Sequence, residues 1–328
     1  MLDPFGRAVT YLRVSVTDRC NYRCNYCMAE EMSFLPRKEL LTLEELERIT
    51  QVFIDLGVRK LRITGGEPLV RREIMSLFHN LGGRLGQGLD ELTLTTNAAL
   101  LQRYAGELFE AGVRRVNISL DTLDPQRFAE LTRTGDYAEV IRGIDAAKEA
   151  GLAVKINTVA LKGFNDDEFD RLIGWCGERG FDLTFIESMP MGDIGNLRDD
   201  HFLALQAVRE QIEQAWTLTP SDHATAGPSR YLQVRETGQR LGFITPYSHN
   251  FCESCNRVRL TCTGTLYLCL GQDDATDLRR PLRQGASDGE LKGLILEAIA
   301  RKPQGHDFDH TRLAEGAQVV RFMNTTGG

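Results

Sequence analysis

Apolar positions along the first two thirds of the chain follow two rhythms in turn. Tyr11 to Val16 reads as a short strand, and the stretch from Thr42 to Leu56 then repeats Leu43, Leu46, Ile49, Phe53 and Leu56 at helical spacing. Thr42 suits the N-cap of that helix and Gly57 its stop. Lys60 to Ile63 is the next strand, and a glycine turn follows it. The pattern continues with a helix near Arg72 to Leu81, a strand from Glu91 to Thr95, a helix from Leu101 to Ala111 and a strand from Arg115 to Leu120. Helices near Pro125 to Leu131 and Tyr137 to Ala150 come next, then a strand from Ala153 to Val159, a helix from Asp166 to Arg179 and a strand from Asp182 to Ile186. Strands that alternate with helices predict a parallel α/β sheet, as an incomplete barrel or a doubly wound sheet. Either arrangement gathers functional loops at the carboxyl ends of the strands.

Beyond Met189 the rhythm changes. Met191 to Asp200 is a polar linker, and Asp199 to Ala215 predicts a helix. Tyr231 to Val234 and Arg240 to Ile244 predict a hairpin, and Gly289 to Arg301 a helix. A boundary near residue 200 divides the chain into an α/β barrel unit, 1–200, and a smaller C-terminal unit, 201–328.

Composition narrows the class. The 328 residues are 42% hydrophobic and 26% charged, a balance that supports a substantial core. A net charge of −7 argues against general binding to nucleic acid or anionic membranes. No apolar run approaches the roughly 20 residues that span a bilayer. The N-terminus lacks the basic and apolar regions of a secretory signal. Eight cysteines in such a chain read as metal ligands in a reducing, cytoplasmic setting.

Cys20, Cys24 and Cys27 follow the first strand in a C-x3-C-x2-C spacing. Three thiolates so close together suit an iron–sulfur cube, with one iron left open for chemistry. Thr64-Gly-Gly-Glu-Pro68 follows the second strand, and its glycines let the main chain approach a ligand, with Glu67 or nearby backbone bonding a charged amino-acid group. A second set, Cys252, Cys255, Cys262 and Cys269, leaves two readings open on spacing. All four thiolates would close a tetrahedral zinc site, whereas three, without Cys262, would hold a second cube. Arg257 and Arg259 alternate with Val258, so a strand there puts two guanidiniums on one face as an anion clamp. No P-loop sequence occurs. Cys176, beside Trp175, reads as a buried thiol, and His306 and His310 as part of a polar loop.

The segments Leu12-Arg-Val-Ser-Val-Thr-Asp-Arg-Cys-Asn-Tyr-Arg-Cys-Asn-Tyr-Cys-Met28, Arg62-Ile-Thr-Gly-Gly-Glu-Pro68 and Cys255-Asn-Arg-Val-Arg-Leu-Thr261 resemble the molybdenum-cofactor GTP 3′,8-cyclases among the radical S-adenosylmethionine (SAM) enzymes. So do Asn117-Ile-Ser-Leu-Asp-Thr-Leu-Asp124, Gly227-Pro-Ser-Arg-Tyr231 and the Gly327-Gly328 terminus, and together they span nearly the whole chain. The resemblance implies an incomplete barrel whose open side is closed by the smaller unit. It implies two [4Fe–4S] clusters, the first on Cys20, Cys24 and Cys27 and the second on Cys252, Cys255 and Cys269. Cys262 departs from the family pattern. Tyr26, Gly66, Ser119 and Met189 are implied to line the SAM pocket. Arg13, Arg62, Thr95, Lys155, Arg257, Val258 and Arg259 are implied to contact GTP, and Gly327 and Gly328 to assist from the tail. The implied reaction is reductive cleavage of SAM to a 5′-deoxyadenosyl radical, abstraction of the GTP ribose H3′ and cyclisation to (8S)-3′,8-cyclo-7,8-dihydroguanosine 5′-triphosphate. An electron donor of flavodoxin or ferredoxin type and a downstream pyranopterin monophosphate synthase are implied partners, for a monomer or a homodimer. A peptide-modifying radical SAM enzyme would use the first motif alike but would need no triphosphate clamp. A zinc-binding interaction module would need no βα ladder.

Overall fold

The computed structural model describes residues 1–328 apart from 30, 193–200, 226, 248–250, 310–311, 313–316 and 328. Six strands run side by side and parallel in chain order: β1 (Tyr11–Ser15), β2 (Lys60–Thr64), β3 (Glu91–Thr96), β4 (Arg115–Ser119), β5 (Ala153–Ala160) and β6 (Asp182–Glu187). Between them come α1 (Leu43–Asp55), α2 (Ile74–Gly82), α3 (Leu101–Glu110), α4 (Pro125–Thr132), α5 (Tyr137–Glu149) and α6 (Phe169–Arg179). Thr42 caps α1 through a reciprocal box with Glu45, an arrangement worth about 1 kcal/mol, and Gly57 (φ +101°) turns the chain away. The second helix starts at Ile74 rather than Arg72, because Glu73 takes a left-handed conformation (φ 60°).

Each of these strands carries two sets of side chains. Leu12, Val14, Leu61, Ile63, Leu94, Val116, Ile118, Ile156, Leu183 and Phe185 point outward and are sealed under the helices in one continuous core. The alternate positions hold Tyr11, Arg13, Lys60, Arg62, Thr93, Arg115, Asn117, Lys155 and Asn157. Buried parallel strands are ordinarily apolar on both faces. Here the inner face is polar and largely cationic, which is sustainable only around ligand or water. Register reinforces it, lining up Arg259, Arg13 and Arg62 across three adjacent strands, and Asn117 with Lys155 across two others.

The chain after residue 200 adds strands to both edges of the same sheet. The hairpin β8 (Arg230–Val234) and β9 (Arg240–Ile244) joins through β9, which runs parallel to β6, and β7 (Leu218–Pro220) lies outside it. At the other edge β10 (Arg257–Leu260) pairs in parallel with β1, followed by antiparallel β11 (Thr265–Tyr267) and β12 (Ala275–Asp277). The result is an unclosed, mostly parallel sheet of twelve strands in the order 12-11-10-1-2-3-4-5-6-9-8-7. Residues 11 and 257, far apart in sequence, thus become neighbours. The remaining helices are α7 (Leu205–Ile212), α8 (Arg279–Arg283), α9 (Asp288–Ile299) and α10 (Met323–Thr326). The seventh is shorter than the predicted 199–215, whose first two residues lie outside those described, as does most of the predicted linker. Among the described residues no helix is long and apolar enough to cross a membrane.

Candidate active site

Two adjoining cavities open at the carboxyl ends of the strands. The first, about 1170 Å³, is walled by Cys20, Cys24, Cys27, Tyr26, Gly65, Gly66, Thr95, Asn97, Ser119, Asp121, Asn157 and Met189. These residues come from the loops after β1 and β2 and from the ends of β3, β4, β5 and β6. The cysteine loop is fastened from two sides. Gly66 N donates to Thr17 O and Glu67 N to Arg19 O, both at 2.9 Å, while Arg23 N and Asn25 N donate to Thr132 O and Leu131 O at 3.0 Å. A Cβ on Gly66 would sit 2.4 Å from Arg19 O, and Gly65 has φ +153°, so both glycines answer to the close approach of this turn to the cysteine loop.

Glu67 proves to be structural. It is fully buried, and its carboxylate accepts from Leu69 N at 2.9 Å, from Asn97 N at 2.7 Å and from Thr96 Oγ1 at 2.9 and 3.0 Å. With its oxygens so occupied, it ties the β2 turn to the end of β3 rather than meeting a ligand. Burial lifts its pKa to about 7. The Tyr26 hydroxyl is likewise committed, donating to Asp121 Oδ2 at 2.7 Å, while Asp121 Oδ1 accepts from Val159 N at 2.7 Å. Burial raises Asp121 to about 6.

The second cavity, about 1130 Å³, is walled by Arg13, Arg62, Arg115, Lys155, Arg257, Val258 and Arg259 together with Cys252, Cys255, Cys269, Ser229, Phe251 and Phe308. It shares Asn157, Ile186, Met189 and Met323 with the first. Cys262 is absent from its wall and fully buried. The four residues of β10 lie between Cys255 and Cys262, about 13 Å of strand at 3.3 Å per residue. These four thiols therefore do not converge on one ion. Two further contacts shape this site: Arg7 donates to Cys252 O, Gln304 O and Pro303 O at 2.6 Å each, and Lys302 Nζ lies 3.7 Å from Cys255 Sγ.

Seven cations (Arg13, Lys60, Arg62, Arg115, Lys155, Arg257 and Arg259) face a lumen where Glu91 pairs with only two of them, Lys60 at 2.6 Å and Arg115 at 2.5 Å. Their protonation records the strain. Burial, with Arg62 and Arg115 beside it, lowers Lys155 to about 7, although its Nζ also donates to Tyr231 Oη at 2.8 Å. Burial and Arg257 lower Arg259 to about 10, and burial and Arg259 hold Arg13 well below the usual arginine range. Burial opposes ionisation of Tyr11, yet Arg62, Arg13, Lys60 and Arg257 together bring its phenol down to about 8. A polyanion is the ligand such a lumen accommodates.

The donor sets suit iron–sulfur clusters. Each cavity presents three thiols, and all eight cysteines are unbridged by disulfides. Burial pushes Cys20 up to about 12 and Cys24 well above its ordinary value, a penalty that coordinated iron reverses by taking the thiolate. Among the described residues no three His, Cys, Asp or Glu side chains form a single-ion site, whereas a cube takes thiolates from separate corners. Thr95 Oγ1, Asn157 Oδ1, Arg62 Nε and Ser229 Oγ are buried on the cavity walls without a hydrogen-bond partner among the described residues, as expected of groups that meet a ligand.

The C-terminal tail reaches the same place. Gly327 (φ +79°) packs so closely on Thr64 that a Cβ would lie 1.9 Å from Thr64 Oγ1, and Arg259 donates to Gly327 O. Gly328 and His310 lie outside the described residues. Of the residues predicted from sequence, Tyr26, Gly66, Ser119 and Met189 wall the first cavity, and Arg13, Arg62, Lys155, Arg257, Val258 and Arg259 the second. Thr95, expected with the second group, stands on the first wall. Sequence reasoning missed Lys60, Arg115, Asn117, Asp121 and Asn157. For Lys60, Arg115, Asn117 and Asn157 the signal was the alternation of polar with apolar residues in β2, β4 and the first half of β5, whereas Asp121 lies beyond β4 and had none.

Residues 14–176 match the Radical SAM superfamily model and residues 181–308 the Molybdenum Cofactor Synthesis C model. A GTP 3′,8-cyclase of Paracoccus denitrificans (strain Pd 1222) is 61% identical over 329 residues, covering 100% of this chain and 96% of its own. Another from Rhizobium etli (strain CIAT 652) is 61% identical over 328 residues, covering 100% and 94%. Among solved structures, Streptococcus suis SuiB bound to S-adenosylmethionine superposes with a TM-score of 0.59 at 18% identity, over 97% of this chain and 77% of that one, a likeness of fold alone.

Proposed function

The chain belongs to the GTP 3′,8-cyclase family of radical SAM enzymes, and from that membership we propose how its own residues divide the labour of the first step in molybdenum-cofactor biosynthesis. The observation that carries the proposal is the junction of two cavities, each walled by three thiols, one of them lined by buried cations. Cys20, Cys24 and Cys27 would hold the first [4Fe–4S] cluster, leaving one iron free of protein thiolate, and Cys252, Cys255 and Cys269 the second. When bound, the first cluster and SAM supply hydrogen-atom abstraction at the ribose C3′ of GTP, after which C3′ bonds to C8 of guanine.

The protein's part is binding, orientation and exclusion of water. Arg13, Arg62, Lys155, Arg257 and Arg259 take the triphosphate, whose negative charge offsets the burial and mutual repulsion of these cations. Lys155 takes up a proton as the triphosphate arrives. Asn157 Oδ1, where the two cavities join, and Thr95 Oγ1, on the first wall, meet ribose hydroxyls. Ile186, Met189 and Met323 line that junction with apolar surface and keep water from the reacting carbon. Tyr26, held by Asp121, Gly66 and Ser119 shape the SAM side, with Gly327 of the tail packed against Thr64 of that wall. An electron donor of flavodoxin or ferredoxin type approaches the half-exposed first cysteine loop, and the cyclised nucleotide passes to pyranopterin monophosphate synthase. Eight cysteines without a disulfide suit a reducing cytoplasm.

The test is Cys24→Ser in anaerobically purified protein. GTP binding persists and product formation stops; detection of 3′,8-cyclised nucleotide from that variant overturns the assignment of the first cluster.

A further inference from the structure

The tail does more than end beside the first cavity; it is fastened to both cysteine loops. Arg321 is the anchor at the second. Its Nη2 donates to Leu270 O at 2.6 Å, Gln272 O at 2.7 Å and Cys269 O at 3.3 Å, its Nη1 pairs with Asp273, and its guanidinium lies 4.1 Å from the Tyr267 ring centroid. Carbonyls from three residues of one short loop meet a single nitrogen only while the loop curls back on itself. Cys269 opens that loop and faces the second cavity. Three residues beyond Arg321, the buried Asn324 Nδ2 donates to Asp18 O at 2.8 Å, two residues before Cys20. Between them Met323 faces both cavities, and Gly327 follows against Thr64.

We propose that Arg321 is a positioning residue that couples formation of the second cysteine site to insertion of the tail beside the first. Iron binding at Cys252, Cys255 and Cys269 fixes the curl of the 269–272 loop, that curl assembles the carbonyl set for Arg321, and the docked arginine sets the reach at which Gly327 meets Thr64 and Arg259. The tail thereby closes the active site only when the substrate end is built. The inference rests on the two-cluster reading above and adds the order in which its parts assemble.

Hydrogen exchange on the full chain tests it without recourse to turnover. In reconstituted wild type, the amides of Thr325 and Gly327, which donate to Phe322 O and Met323 O, exchange slowly. Cys269→Ser, lacking the second cluster, speeds them roughly tenfold or more. Arg321→Ala gives the same acceleration at unchanged iron content, with unchanged protection of residues 18–28 and a fall in kcat larger than any rise in KM for GTP. Tail exchange that ignores either substitution overturns the coupling, and so does loss of iron in Arg321→Ala, which would make the arginine a clamp for the loop alone. A wild type that couples its tail as described yet makes no cyclised nucleotide would sink the functional reading and leave this inference standing.

Discussion

Lys155 ties GTP affinity to pH, and raising the pH from 7 to 9 is the perturbation that exposes it. In the free protein its pKa is about 7, because it is buried beside Arg62 and Arg115. A bound triphosphate restores the ammonium to about the ordinary lysine value of 10.4. The sign follows from linkage: the complex holds a proton that the free protein has lost above pH 7, so binding takes up a proton and weakens as pH rises. With those two values, Lys155 alone lowers affinity about fiftyfold between pH 7 and pH 9, or about 2.3 kcal/mol. The terminal phosphate, with a second pKa near 6, is already ionised throughout this range and adds little. Titration calorimetry on Tyr11→Phe, in buffers of different ionisation enthalpy, reads the lysine's proton directly, at about one per GTP at pH 8.5. Lys155→Met binds more weakly at pH 7 and loses this slope, leaving only the smaller loss above pH 8 from ionisation of Tyr11, which Tyr11→Phe removes. Wild-type affinity flat from pH 7 to 9, or an equal slope in Lys155→Met, refutes the reasoning.

Two further substitutions test the scaffold beneath the first cysteine loop. Gly66→Ala pushes a methyl to within 2.4 Å of Arg19 O, and the backbone must move; we expect about 1–3 kcal/mol lost in denaturant unfolding and depleted iron at the first site only. Glu67→Gln replaces an acceptor with a donor facing the Asn97 and Leu69 amides or the Thr96 hydroxyl. It should cost about 1–3 kcal/mol in thermal unfolding, whereas unchanged stability with lost SAM binding would return Glu67 to the ligand-binding role.

The parts of this enzyme that were legible in its sequence are those encoded locally. The Cys20–Cys24–Cys27 spacing, the Gly65–Gly66 turn and the Thr42 cap each need only neighbours a few residues away, and the helical and strand periods each reveal themselves within one element. What could not be read is set by distant pairing. Nothing near residue 257 says that β10 will lie beside β1, so the row Arg259–Arg13–Arg62 emerges only with the register. Cys262 is ambiguous on spacing and becomes distinct only when β10 separates it from Cys255. Glu67 read as a ligand because it follows two glycines that let the main chain approach one; its partners Thr96 and Asn97 arrive from the end of the next strand. Lys60 and Arg115 were within reach of sequence reasoning, since polar residues alternate with Leu61 and Val116 in their strands, and the period needed only to be applied to every strand.

The most direct test of two three-thiol clusters framing a cationic lumen is the iron, sulfide and zinc content of anaerobically purified protein, with Mössbauer spectra of wild type and Cys262→Ser. About eight irons and eight sulfides per chain, with negligible zinc and no change in the variant, are what two [4Fe–4S] clusters require. About four irons with one zinc, the zinc lost on replacing Cys262, would contradict the account and make the C-terminal cysteines a structural site.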